Sequence, residues 1–263
     1  MVLARSWLHS ACMYLGTYSA AAAMDNMFKQ QDEVARNISG SAQAGHKKVG
    51  MGTSASSSGR LASSSNSNFS QHLDQAMPQY EKKIFFDQGA LRNTGNPLNV
   101  AIDGDGFFQV QTKSGDVFLT RSGDFRLNTN RELVDAAGNR VLSDGGSLTL
   151  SSGQGDVFID DQGQVFQGST VVGKISVVDV PDKSVLMDVG GAFMIDPSKT
   201  VQTQTPKSYH VLQGALEQSN HSVVEGMVNL MDLGRSHESA HTLIRSLEDQ
   251  SDRMMKVLGN RTA

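Results

Sequence analysis

The residues best suited to chemistry in this 263-residue chain are two histidines and a glutamate near its carboxyl end. His237-Glu238-x-x-His241 matches the pattern in which two histidines one helical turn apart bind zinc while the glutamate activates water. A catalytic zinc ion needs a third protein ligand, and positions 244 and 247, where an extended pattern would continue, are Ile and Leu. A zinc metallopeptidase therefore remains an alternative, and the preferred interpretation of His237 is a histidine on a packing face.

A second group that suggests metal binding is Asp103-Gly104-Asp105-Gly106, because closely spaced carboxylates suit calcium. The spacing is incomplete, since no third carboxylate lies two residues on and no Glu ends a twelve-residue loop. The segment also joins two apolar runs, and Asp-Gly is typical of tight turns. We predict a hairpin turn here and no metal site.

Charge and cysteine content exclude several classes of protein. The net charge is −4, which argues against a nucleic-acid partner because phosphate binding needs clustered Lys and Arg. Cys12 is the only cysteine, so an intrachain disulfide and a thiolate zinc cluster are excluded. No run approaches the roughly 20 apolar residues of a membrane span. We expect no cofactor, no catalytic residue and no direct membrane insertion.

The histidines belong to a long segment with a helical pattern. Ser222-x-x-Glu225 forms a capping box, and no proline follows before Gly259. Apolar residues then recur every three or four positions, which is typical of a helix that packs against another helix. We call the following residues the assembly seam: Val223, Met227, Leu230, Leu233, Ala240, Ile244, Leu247, Met254 and Leu258. Because such a helix is longer than a compact domain of this size needs, we expect the seam to pack outside its own globule.

The elements around this helix follow from proline and serine placement. All five prolines lie between positions 78 and 206, so both ends can be helical. Residues 51–70 hold nine serines, which predicts an extended or mobile connector. Short apolar runs alternate with Gly, Asp and Asn from about 84 to 211, which indicates an antiparallel β domain. We predict four parts: a helical segment 1–40, a connector 41–83, a β domain 84–211 and a helical segment 212–263 that packs with 1–40.

A short repeat brackets the predicted β domain. Gln88-Gly89-Ala90-Leu91 recurs as Gln213-Gly214-Ala215-Leu216. Four residues can match by chance, but their placement suggests paired connections where the chain leaves and re-enters the helical region.

One long block resembles a known family. The segment from Thr94 to Val110 is similar to the signature of bacterial flagellar rod and hook proteins, and its matching residues include Gly95, Asn96, Pro97, Leu98, Asp103, Gly104, Gly106 and Phe107. Three more blocks agree in order: Thr120 to Phe125, Gly214 to Asn220, and Val223 to Leu258. The resemblance therefore covers residues 84 to 258.

The amino-terminal box of that family is matched only in part. Asn37, Gly45 and Lys47 fit, whereas Gly40 stands for a second Asn and His46 for an aromatic residue. Gln43 also replaces the usual Thr.

The resemblance implies a structural rod subunit, with the proximal-rod type favoured over the distal-rod type. It implies an α+β fold in which long N- and C-terminal helices form a coiled-coil layer and a mainly antiparallel β domain lies outside. The expected partners are other copies, neighbouring rod and hook proteins, and the flagellar type III export apparatus. The expected location is the periplasm-spanning rod of the basal body, reached without a cleaved signal peptide. A β-rich scaffold or adhesin is the other alternative.

Overall fold

The computed structural model describes residues 23–54, 79–151, 155–196, 198–199 and 202–259. Cys12 and the rest of residues 1–22 lie outside this range, as do residues 55–78 of the predicted connector. The chain divides into two compact units. The helical unit comprises the described residues up to Arg36, those from Gly50 to Lys83, and those from Val224 onward; the β unit comprises Asn37–Val49 and Ile84–Val223.

Two helices and a strand pair make up most of the helical unit. Helix α1 covers residues 23–40, and α2 runs over Val223–Gly259. The 37 residues of α2 begin directly after Ser222, as the capping box predicts, and span roughly 55 Å. Strands β1 (Val49–Ser54) and β2 (Gln79–Ile84) form a two-stranded sheet.

The predicted coiled-coil layer of two long terminal helices is wrong. The described part of α1 starts only at residue 23, so α2 has no partner helix of comparable length among the described residues. The ring of Phe28 on α1 lies edge-on, 4.7 Å from the ring of His237 on α2. Apolar residues on the first turns of α2 are exposed, including Val224 and Met231. An apolar stripe predicts a helix correctly, but it carries no information about which element covers the stripe.

The β unit is built from short strands joined by tight turns. They are β3 (Leu91–Asn93), β4 (Val100–Gly104), β5 (Phe107–Gln111), β6 (Val117–Thr120), β7 (Arg126–Leu127), β8 (Leu133–Val134), β9 (Arg140–Ser143), β10 (Gly146–Ser147), β11 (Val157–Ile159), β12 (Gln164–Gln167), β13 (Thr170–Lys174), β14 (Val177–Val178), β15 (Leu186–Val189), β16 (Ala192–Ile195), β17 (Tyr209–Gln213) and β18 (Ala215–Glu217). A 3-10 turn, Lys183–Val185, precedes β15.

The strand pairs of the β unit are antiparallel, as predicted. The largest sheet has the order β15-β16-β6-β5-β9-β8-β7, with β10 on β9 and β14 on β5. A three-stranded sheet has the order β11-β12-β13. Antiparallel strands need only short turns between them, which explains the frequent Gly, Asp and Asn in this part of the sequence.

The strands where the chain enters and leaves the β unit pair with each other. β18 pairs with β3, with Ala215 opposite Asn93 and Glu217 opposite Leu91. β17 pairs with β4 in the same antiparallel sense. The first copy of the short repeat ends at Leu91, the first residue of β3, and the second copy covers the junction of β17 and β18, so both copies lie at these paired strands.

Two apolar cores lie on opposite sides of β5. Phe108 belongs to the larger core with Phe125, whose ring centroid is 5.2 Å away. The adjacent Phe107 belongs to a second core, where its ring contacts those of Phe86 and Phe193 at 5.6 and 5.7 Å. Successive side chains of a strand point to opposite faces, so one strand supplies both cores.

The turn between β4 and β5 differs from the prediction. Gly104 and Gly106 have φ values of 105° and 121°, which a residue with a side chain rarely adopts. The turn is tight, as expected, but it is not a hairpin, because β4 pairs with β17 and β5 pairs with β6 and β9. It is a corner through which the chain passes from one sheet to another.

Candidate functional site

Three charged side chains meet inside the β unit. Lys47 Nζ lies 2.5 Å from Glu217 Oε1, and an Arg121 guanidinium nitrogen lies 3.3 Å from Glu217 Oε2. All three side chains are almost completely buried. We call these residues the Glu217 cluster. A buried carboxylate needs such partners because burial without them strongly disfavours its charge.

The polar groups around the cluster come from several distant parts of the chain. The backbone N–H of Gly89 also donates to Glu217 Oε1 at 3.0 Å, and Lys47 Nζ donates to the carbonyl of Asp87 at 2.8 Å. Arg121 donates to the carbonyl of Gly104 at 2.8 Å. The cluster therefore ties the box at residues 37–47, the segment before β3, the end of β6 and β18 together.

The interactions among the three charged groups favour a structural role for the Glu217 cluster over a catalytic role. Burial lowers the pKa of Lys47, Glu217 acts in the opposite direction, and the positive charge of Arg121 adds to the lowering. Glu217 bonds to both cations, so its two oxygens are engaged. These buried groups suit a structural fastening between distant parts of the sequence.

Two asparagines fasten the same region through their amides. Asn37 is buried, donates to the carbonyl of Val49 at 2.6 Å and accepts from the Val49 N–H at 2.9 Å. Asn220 accepts from the N–H of Lys48 at 2.7 Å and donates to the carbonyls of Phe85 and Asp87. We call residues 37–49 the amino-terminal clamp, because these bonds hold both of its ends.

Glycine is required at two points where the clamp region meets other backbone. At Gly45, with φ of 70°, a Cβ would overlap the backbone of Arg121 and Ser122. At Gly89 a Cβ would overlap the carbonyl of Gln218. The N–H of Gly45 donates to the carbonyl of Glu217 at 2.7 Å, so this close approach carries part of the fastening.

The structure brings all three predicted box residues, Asn37, Gly45 and Lys47, into the clamp. Sequence reasoning did not select Arg121, Glu217 or Asn220 as site residues. Each of them lies within a block that resembles the family, and that resemblance was the available signal.

The β-domain signature residues are spread along the entry to the β unit. The side-chain oxygen of Asn96 accepts from the N–H of Leu98, and the carbonyl of Pro97 accepts from Gln213. Gly95 has φ of 71°, and its N–H donates to the carbonyl of Gly214. Leu98 packs against the larger core.

The remaining signature residues lie at the corner after β4. Asp103 Oδ1 accepts from Gln88, and Gly104 joins the cluster through its carbonyl. Arg121 lies over the Phe107 ring at 5.3 Å. The signature thus connects the corner to the Glu217 cluster, and Gly106 supplies the positive φ that the corner requires.

The assembly seam remains a prediction. Leu230, Leu233, Ala240 and Ile244 are partly buried along one side of α2, whereas Val223 and Met227 are exposed. The side chains of Leu247, Met254 and Leu258 lie outside the described part of the structure.

The histidine motif lies on α2 among aromatic neighbours. The His237 ring is 4.9 Å from the His241 ring and 4.7 Å from the Phe28 ring. Within the described ranges, no group of three or more His, Cys, Asp or Glu side chains is placed to hold a metal ion. The described residues therefore supply no third ligand for a zinc ion at this motif, and packing explains His237 better.

Among the helices in the described residues, none combines the length and apolar character needed to cross a bilayer.

Comparison with known proteins agrees with the family signature. Residues 101–167 match the flagellar hook protein FlgE/F/G D1 domain. The chain is 28% identical to the flagellar basal-body rod protein FlgF of Mesorhizobium japonicum over 249 residues, which covers 93% of this chain and 98% of that protein. It is 32% identical to the FlgF protein of Caulobacter vibrioides over 176 residues, which covers 66% of this chain and 71% of that protein.

A rod protein named FlgG matches over a shorter span. The FlgG protein of Borreliella burgdorferi is 27% identical over 186 residues, which covers 66% of this chain and 68% of that protein. The longest of these matches is to an FlgF protein, which favours the FlgF type. Neither the zinc metallopeptidase nor the adhesin alternative gains support. The chain belongs to the family of bacterial flagellar basal-body rod proteins, as the sequence resemblance predicts.

Proposed function

We propose that this protein is a structural subunit of the flagellar basal-body rod. Copies of it would join one another and neighbouring rod and hook proteins in a helical tube that transmits torque for motility. Head-to-tail contacts that do not close into a ring generate such a tube. Family membership supports this proposal.

The observation that carries the assembly proposal is the exposed apolar surface on the first turns of α2. Val224, Val228 and Met231 are 71%, 52% and 63% exposed, and Met227 is 49% exposed. We call these four residues the α2 apolar face. Covering apolar surface contributes roughly 25 cal/mol per Å², so a helix that leaves this surface in water is stabilised when another subunit covers it. We propose that neighbouring rod subunits cover this face and the assembly seam.

The same family membership supports a proposal for location and export. We propose that the chain occupies the periplasm-spanning rod and is delivered by the flagellar type III export apparatus without a cleaved signal peptide. We also propose that it has no enzymatic activity and needs no cofactor. Family membership supports this proposal, because the similar proteins are named flagellar basal-body rod proteins.

The test replaces one residue of the α2 apolar face and a matched polar neighbour. Met231→Glu places a charge on the face, whereas Asn229→Asp places the same charge at an exposed position outside it. Each variant is expressed in a strain that lacks the wild-type gene, and basal bodies are counted by electron microscopy. We expect Met231→Glu to stop rod completion and motility and Asn229→Asp to support both.

The purified variants separate assembly from folding. Both should show the amide NMR spectrum of the folded β unit. Normal rods from Met231→Glu would contradict the proposed role of the face, and loss of the β-unit spectrum would show that the variant acts on folding.

A further inference from the structure

His46 occupies the space next to Gly40 inside the amino-terminal clamp. Its side chain is buried, with 9% of the residue exposed. Gly40 is the last residue of α1 and is also buried. A Cβ at position 40 would overlap three atoms of the imidazole ring, the farthest of them, Cδ2, at only 2.6 Å. The ring therefore lies where a side chain at position 40 would begin.

One imidazole nitrogen of His46 has no hydrogen-bond partner. Nε2 is buried, and none of the described residues bonds to it. A neutral imidazole tolerates this position if Nε2 is the nitrogen without hydrogen. Protonation gives both nitrogens a hydrogen and adds a charge, which would leave a buried cationic donor without an acceptor.

The charged groups near His46 are mostly engaged elsewhere. Lys47 follows it in the chain and shares Glu217 with Arg121, so the nearest cluster already holds two cations for one carboxylate. Asp188 on β15 is the carboxylate that favours charge on His46. Asp87 adds a carboxylate beside Lys47.

One further titratable group adjoins this region from the segment after β18. The Asn220 N–H donates to the His46 carbonyl at 3.4 Å, and the next residue is His221, which is buried. His221 is therefore the other group whose protonation the test must separate from that of His46.

We propose that His46 makes the amino-terminal clamp responsive to pH: the clamp is closed while the ring is neutral and opens when the ring is protonated in mildly acidic solution. Opening releases the ring from Gly40 and loosens the bonds of residues 45–49 to Glu217 and Asn220. The cores on either side of β5 contain no clamp residue, so opening is local.

The direction of the effect follows from the burial of the ring. Burial lowers the pKa of His46, while Asp188 raises it by a smaller amount. When the pKa is lower in the closed clamp than in the open one, the open form binds more protons. Closed-state stability is therefore fully present above pH of about 6.5 and decreases as the pH falls below that value.

The test measures clamp opening in the full chain by hydrogen exchange. The amide protons of Gly45, Lys48 and Val49 are hydrogen-bonded in the clamp and report its opening. Rates are corrected for the intrinsic pH dependence of exchange. Between pH 7.5 and pH 5.5 we expect the opening constant of the wild type to rise more than twofold and at most about tenfold, which is the limit that an open-form pKa of about 6.5 sets.

Three histidine variants show which histidine causes the pH response. His46→Phe keeps a ring but cannot be protonated, so its opening constant should change less than about twofold over the same range. His210→Phe is the matched control, because His210 is exposed on β17 and lies outside the clamp. It should respond like the wild type. A wild-type response in His46→Phe would overturn the proposal, as would loss of the response in His221→Phe.

A charge variant tests the same proposal without altering the ring. Asp188→Asn removes the carboxylate that favours a charged His46, so acid should open the clamp more than in the wild type. The NMR titration midpoint of His46 should move to lower pH in this variant. An unchanged midpoint together with an unchanged opening constant would count against the proposal, even if His46→Phe failed to fold.

Discussion

Lys47 and Glu217 form a buried ion pair at 2.5 Å although 170 residues separate them in the sequence. The pair joins the segment after α1 to the last strand of the β unit. Because Arg121 shares the same carboxylate, the three groups depend on one another. Electrostatic interactions therefore hold these distant segments together. Apolar packing alone would not specify which segments meet here.

Glu217→Gln should destabilise the β unit by roughly 3–5 kcal/mol, because it removes the charge of the carboxylate that both buried cations bond to. Lys47→Met should cost less, since Arg121 still balances Glu217. Urea unfolding at neutral pH measures both free energies. Arg126→Ala is the control: its pair with Asp124 is largely exposed, and such pairs contribute about 0–1 kcal/mol. Equal losses for Glu217→Gln and Arg126→Ala would contradict the importance of the cluster.

Gly123→Ala should destabilise the β unit by roughly 2–3 kcal/mol, because the new Cβ would overlap the carbonyl of Val100. The N–H of Val100 donates to the Gly123 carbonyl at 3.0 Å, so the overlap would also disturb this bond. Gly145→Ala meets open space and should change stability by less than about 0.5 kcal/mol. Thermal unfolding of the two variants measures the difference, and similar melting temperatures would show that the backbone at position 123 relaxes easily.

Sequence patterns predicted the elements of this protein better than their packing. The capping box located the start of α2 because it depends on residues three positions apart, and Asp-Gly pairs located the turns for the same reason. The corner at Asp103 was mistaken for a hairpin because strand partners are set by contacts far along the chain, here with Tyr209–Gln213. The prediction of a coiled-coil layer was wrong for a related reason, because an apolar stripe on a helix does not indicate which element packs against it.

The candidate site was only partly accessible from sequence. Asn37, Gly45 and Lys47 were selected because they match a family box. Glu217 was missed because its role depends on a carboxylate being enclosed by the clamp and by Arg121. A charge that is buried by residues far away in the sequence leaves no periodic pattern, so no spacing rule could identify Glu217.

Ser198→Ala should raise the pKa of Asp196. The Ser198 hydroxyl donates to Asp196 Oδ1 at 2.5 Å, and this bond is the main reason that the pKa of this exposed carboxyl is lowered. An NMR titration of the carboxyl carbon measures the change. Ser184→Ala is a matched control, because Ser184 has the same relation to Asp182. It should raise the pKa of Asp182 and leave Asp196 unaffected; a change at both carboxyls would indicate a wider rearrangement.

A chain that ends at Ser222 should keep a folded β unit, since the two cores and the Glu217 cluster contain no residue of α2. Its amide NMR spectrum should overlay the β-unit signals of the full chain. Deleting residues 37–49 as well should destroy the fold, because this removes Lys47 from the cluster and Asn37 from the clamp. Collapse of the spectrum after the first deletion alone would show that the β unit needs α2.

The pairing of β3 with β18 and of β4 with β17 places the two ends of the β unit side by side. The chain therefore leaves these paired strands after β4 and returns to them at β17. Turn tips between these two strands, such as Gly115 and Gly138, face open space and can accept extra residues without moving the paired strands. A protein with this strand pairing can therefore gain residues at these turns while the paired strands β3, β4, β17 and β18 stay unchanged.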